Sequence, residues 1–133
     1  MGRWLIRLIP RAALAAIFIR AGWRGVKNPE PIANVARNNL PIEPPQLATI
    51  ARAQAGAQLA GGVALAAGVA PRLAAAGLAL TLIPVTYAGH PFWQMDDPQQ
   101  RNQHLSHFFK NLGLFGGLMY VALEPRHDGS QQG

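Results

Sequence analysis

Arg52, Gln54 and Gln58 stand near the start of one apolar helix, and Lys110 and Asn111 stand one to two turns inside another. A charged side chain inside an apolar helix is costly and marks a functional site by default. Gln54 and Gln58 are four apart, so they share a helix face. If both helices enter a bundle from the same side, these residues line a polar pocket open at that surface. Cations with amide donors suit an anion, a lipid phosphate or a quinone carbonyl. The competing reading is hydrogen bonding between helices, with the cations snorkelling toward water.

His90, His104 and His107 fall at the same end, with Asp96 and Asp97 between them. His104 and His107 are three apart and share a face, a spacing that permits two ligands to one metal. Imidazoles at a helix start more commonly lie at an interface or bond to backbone, so the sequence assigns no metal. Three histidines at one end also fail to supply two opposed haem ligands. The chain has no cysteine, which excludes thiolate chemistry, disulfides and iron–sulfur clusters within it. Its carboxylates, Glu30, Glu43, Asp96, Asp97, Glu124 and Asp128, fall in loops or at helix ends. That pattern weighs against proton coupling through a buried acid. No nucleophile–base pair or glycine-rich phosphate loop is visible.

The elements that must hold these residues are apolar blocks. The chain has 133 residues, which suits one domain, and 14% are charged. Soluble domains carry about 25%, so a membrane protein is favoured over an alanine-rich soluble bundle. The blocks are 12–19, 59–70, 73–88 and 112–123. The net charge is +6, and the basic residues cluster at block ends, where they suit anionic headgroups. No basic patch with interleaved aromatics points to nucleic acid.

The expected fold is all-α, a four-transmembrane-helix bundle over residues 1–125 with a polar tail at 126–133. The helices are expected at about 11–23, 45–68, 71–88 and 98–124. Pro10 would separate a surface turn bearing Arg3, Arg7 and Arg11 from the first span. The N-terminus resembles a signal peptide, but Arg20 and Arg24 follow at once without a convincing cleavage site, so it is read as a retained helix. Ile32, Val35 and Leu40 allow a short surface helix in the Pro- and Asn-rich connection. Pro71 suits a helix start and Gly89 a helix end. Pro84 should kink the third helix and free the Leu80 carbonyl. Asp97 and Pro98 should open the fourth helix. Gly113 and Gly117, with Gly116 beside them, and Ala53, Ala57 and Gly61 form small-residue stripes for helix packing, within the bundle or against a partner subunit.

Residues 52–72, including Gln58 and Gly62, with 84–93 and 107–117, resemble the DoxX family of small bacterial membrane proteins. The pairing of His-Pro-Phe-Trp at 90–93 with His-Phe-Phe-Lys-Asn-Leu-Gly at 107–113 resembles an actinobacterial branch. The resemblance implies a multi-pass four-helix bundle in the bacterial plasma membrane. It also implies association with membrane redox systems, because some relatives are subunits of quinone-reducing thiosulfate oxidoreductases or terminal oxidase complexes. Many members carry Glu where this chain has Gln58, a departure that removes a titratable group. The first expectation is therefore an accessory subunit of a larger respiratory or redox complex, non-catalytic alone and without an intrinsic cofactor. Its partners would be the bilayer and other membrane subunits, with no nucleic acid. The second is a quinone-binding redox subunit, with Arg52, His90, His107, Lys110 and Asn111 at the headgroup and electrons carried by another chain. The third is a small lipid or anion carrier using the same pocket.

Overall fold

The computed structural model describes residues 2–39, 41, 44–89 and 92–125, and among them it is all-helical with no strand. Five α-helices follow in order: α1 (Gly2–Lys27), α2 (Glu30–Asn39), α3 (Pro44–Ala67), α4 (Pro71–Gly89) and α5 (Pro98–Leu123). A single 3-10 turn, Phe92–Gln94, precedes α5. The expectations that rest on Leu40, on His90 and Pro91, and on the tail 126–133 lie outside the described residues.

The four long helices carry the four apolar blocks, and α2 occupies the Pro- and Asn-rich connection. The first helix is longer than the sequence suggests. It starts at Gly2 and continues through Pro10 without a break. The proline deprives the Ile6 carbonyl of a donor, but both residues are exposed, so that carbonyl lies on the outside of the bundle. Pro84 likewise lies inside α4, where it frees the carbonyl of the exposed Leu80.

Among the described residues, the stretch that begins at Pro71 and contains α4 is the one that is by itself long and apolar enough to cross a membrane. The other long helices mix apolar residues with polar ones. Arginines recur along α1, α3 carries Gln46, Arg52, Gln54 and Gln58, and α5 opens on several polar turns.

Close backbone approach sets the packing. The antiparallel pair α1 and α3 shares the most extensive interface. A Cβ added at Gly22 would fall 2.5 Å from the Leu59 nitrogen and 2.6 Å from the Ala55 carbonyl. One at Gly25 would fall 2.5 Å from the Ala55 Cβ, and one at Gly62 would fall 2.8 Å from Ile19 Cγ1. These three glycines and Ala55 let two backbones touch, which matters where lipid supplies no hydrophobic drive for helix association.

The α3–α4 hairpin closes at a left-handed glycine. Gly68 has φ +75°. Its N–H donates to the Leu65 carbonyl at 3.2 Å, and the Val69 N–H donates to the Ala64 carbonyl at 2.9 Å. That pair of bonds is a Schellman cap, which satisfies carbonyls that α3 would otherwise leave open. Helix α5 returns antiparallel to α4. Asp97 caps its start, accepting from the Gln99 N–H at 3.1 Å with Pro98 in the first turn. At its other end Arg72 Nε donates to the Ala122 carbonyl at 3.0 Å. The main core joins Ala15 and Phe18 of α1, Leu65 of α3, Leu78 and Leu82 of α4, and Leu118 of α5. A smaller cluster seats Ala33 of α2 on Leu47 and Ala51 of α3.

Candidate functional site

The buried polar residues lie on two seams, one on each side of α4. On the first, Gln54 Nε2 donates to the Thr81 carbonyl at 2.6 Å. One turn on, Gln58 Nε2 reaches Thr81 Oγ1 at 3.4 Å, and that hydroxyl donates to the Leu78 carbonyl at 2.6 Å. The four-residue spacing places both amides against the same turn of α4. The Thr81 carbonyl taken by Gln54 is next in sequence to the Leu80 carbonyl that Pro84 frees.

On the second seam, Asn111 Nδ2 of α5 donates to Thr86 Oγ1 of α4 at 3.0 Å. Thr81 and Thr86 are five positions apart, which in a helix is about 7.5 Å along the axis and about 140° around it. The glutamines and Asn111 therefore do not share one pocket. The cations expected beside them lie outside both seams: Arg52 and Lys110 are exposed. His107 is exposed and His104 half-buried, and each is engaged with a neighbour. His90 lies outside the described residues.

The Asn111–Thr86 pair lies in a groove of about 340 Å³ between α4, the 3-10 turn and α5. Its walls are apolar, formed by Leu82, Phe115 and the rings of Tyr87, Trp93 and Phe108. These rings belong to a contiguous aromatic cluster. Tyr87 and Trp93 have centroids 5.6 Å apart, and Phe92 meets Trp93 and Phe108 edge-on at 5.2 and 5.3 Å. Edge-on pairs are a favoured geometry, and they fix the 3-10 turn against α5. Among the described residues no buried side-chain nitrogen or oxygen lacks a hydrogen-bond partner, and no three His, Asp or Glu side chains converge on a metal-sized site.

The packing stripes read from the sequence divide. Gly61 meets the Leu78 side chain, and Gly117 faces Leu14 of α1. Ala53 and Ala57 are exposed, and Gly113 and Gly116 open onto empty space. As packing positions, Gly22, Gly25, Gly62 and Ala55, which make the closest contacts, were not read from the sequence. Sequence reasoning also missed Thr81 and Thr86 as acceptors. The signal for the threonines was present: with Tyr87 they are the only polar residues between Leu73 and Ala88.

The DoxX family matches residues 6–91, nearly two-thirds of the chain. The chain belongs to the DoxX family. It is therefore a membrane protein of a family without a clear common activity. The matched span covers α1 from residue 6 and all of α2 to α4 and ends before the 3-10 turn, so α5 and Asn111 lie beyond it. No curated protein and no solved structure matches the chain.

Proposed function

We propose that this DoxX protein is an accessory subunit of a larger respiratory or redox complex in the bacterial plasma membrane, non-catalytic on its own. In this reading α1, α3, α4 and α5 all cross the bilayer. The polar turns of α1 and α5 lie at the headgroups, and the amides of α3 turn inward onto α4.

One observation carries the reading. The glycines Gly77, Gly113 and Gly116 of α4 and α5 have open space where a side chain would be. Glycine facing lipid gains nothing and costs helix stability. Glycine facing a partner helix permits close approach, which is what drives association within a bilayer. Among the described residues the buried polar side chains, Gln58 and Asn111, are neutral amides bonded to neighbouring hydroxyls.

The test uses the chain's lack of cysteine. Gly113→Cys and Gly116→Cys each introduce one thiol on the outer face of α5. Crosslinking in host membranes, then mild-detergent purification with mass spectrometry and a visible spectrum, should recover haem- or flavin-bearing subunits joined at these positions. Recovery of the chain alone, uncrosslinked and colourless, overturns the proposal.

The aromatic groove favours a second reading, a quinone headgroup held by Asn111. An apolar groove of this volume with one convergent polar pair is typical of small-molecule sites. Co-purified quinone that is lost in Asn111→Leu supports it. Quinone retained in that variant removes it.

A further inference from the structure

The start of α1 runs past the end of the helix on which α1 packs. A Cβ at Gly62 would lie 3.4 Å from the Ala15 carbonyl, so these residues stand level in the antiparallel pair. Helix α3 ends five residues later, at Ala67. The first two turns of α1 therefore project past the α3–α4 hairpin by about 12 Å at 1.5 Å per residue. The projecting segment is amphipathic. Arg3, Arg7 and Arg11 recur every four residues on one face, while Trp4, Leu5, Ile6 and Ile9 are exposed around the remainder.

The cations are not equivalent. The guanidinium of Arg11 reaches the hairpin, with Nη1 3.3 Å from where a Gly68 Cβ would stand. There it faces the C-terminal end of α3, whose dipole favours a cation. Arg72 caps α5 through the Ala122 carbonyl. Arg3 and Arg7 have no such task. Together with Arg11, Trp4 and Ile6 they line a shallow cradle on the outside of the helix. No acidic residue occurs in α1, and among the described residues none of these three arginines is ion-paired.

We propose that this cradle binds the phosphate of an anionic phospholipid, with Arg3 and Arg7 on the headgroup and Trp4 and Ile6 against its glycerol and upper acyl carbons. Charge complementarity selects an anion. The apolar half of the cradle selects a lipid over a soluble phosphate. The hairpin and the end of α5 sit at the same end of the bundle, where helix ends and interfacial tryptophan mark the headgroup level. The proposal concerns lipid and not subunits, so it stands or falls apart from the accessory role.

The experiment is native mass spectrometry of the full chain in detergent, titrated with phosphatidylglycerol and separately with phosphatidylcholine. The wild type should retain phosphatidylglycerol selectively. Each interfacial arginine contributes about fivefold in affinity, so Arg3→Gln with Arg7→Gln should weaken retention by about twenty-five-fold. Arg37→Gln with Arg101→Gln removes the same charge from exposed positions at the other end and should leave retention unchanged. Far-UV circular dichroism establishes that all variants are folded. Equal retention of the two lipids, or equal loss in both double variants, overturns the proposal. Displacement of the lipid by millimolar inorganic phosphate also overturns it, since the cradle would then be a site for a bare anion.

Discussion

Gly22→Ala adds one methyl group where α1 crosses α3. The new Cβ would stand 2.5 Å from the Leu59 nitrogen, 2.6 Å from the Ala55 carbonyl oxygen and 2.8 Å from the Leu59 Cα. All three are backbone atoms, so no rotamer change relieves the clash. To reach an ordinary 3.4 Å contact the helices must part by about 0.9 Å. A gap of ~0.5–1 Å forfeits a quarter to a half of each van der Waals well along the crossing. Overpacking of this kind costs about 1–3 kcal/mol. Replacing a helical glycine by alanine returns about 0.5–1 kcal/mol. The expected net loss is about 1–2 kcal/mol, or roughly a tenfold fall in the folded-to-unfolded ratio at the middle of that range.

The assay is denaturant unfolding in detergent micelles, followed by far-UV circular dichroism. The control is Gly116→Ala, where the added methyl meets nothing within 4 Å. There the propensity gain stands alone, and stability should rise by about 0.5–1 kcal/mol. The two substitutions are chemically identical and should move the midpoint in opposite directions. Equal shifts of the same sign would refute the close α1–α3 crossing.

Three further measurements probe the polar seams and the α5 cap. Gln54→Leu should cost about 0.6 kcal/mol and at most about 1.7 in detergent unfolding, the range for hydrogen bonds between membrane helices. Gln58→Leu should cost less, because its contact with Thr81 is long at 3.4 Å; the reverse order would contradict the geometry. A double-mutant cycle with Thr86→Val and Asn111→Leu should give a coupling of about 0.6 kcal/mol, and a coupling near zero would show that the bond does not form in solution. Asp97→Ala should cost about 1 kcal/mol and speed amide exchange in the first turn of α5, so unchanged exchange there would rule out the cap.

The apolar blocks carried most of the architecture, because a long run without charge has few folds open to it. Pro71 and the Asp97–Pro98 pair located two helix starts, since each residue type answers a specific geometric demand there. The start of α1 was not legible, because Pro10 reads as a break unless the exposure of Ile6 is known. The α1–α3 interface was hidden for a different reason. Its glycines are divided between two helices, Gly22 and Gly25 on α1 and Gly62 on α3, and do not repeat at four-residue spacing on either, whereas Gly113 and Gly117 do on α5. The periodic pair drew attention, and the tightest contacts formed elsewhere. The polar residues divided along the same line. The spacing of Gln54 and Gln58 revealed a shared face. The sequence held no sign that Asn111 meets α4 about 140° around from that face.

The two functional readings meet on α5. Successive helix positions step by about 100°, so Gly116 lies about 40° around the helix from Leu112. Leu112 lines the aromatic groove, while Gly116 opens outward. A partner helix seated on Gly113 and Gly116 would therefore border that groove and turn an open cleft into an enclosed one. Enclosure matters because the polar pair of the groove, the Asn111 amide and the Thr86 hydroxyl, neither titrates near neutral pH nor carries electrons. A quinone held there would exchange electrons only with a centre on the neighbouring chain, close to the wall that chain supplies. Accessory subunit and quinone holder are then consecutive requirements. Gly116→Leu should displace the partner through bulk alone, leaving Asn111 and Thr86 in place, and bound quinone should fall with it. Quinone retained after the partner is lost would mean that the groove is complete without a second subunit.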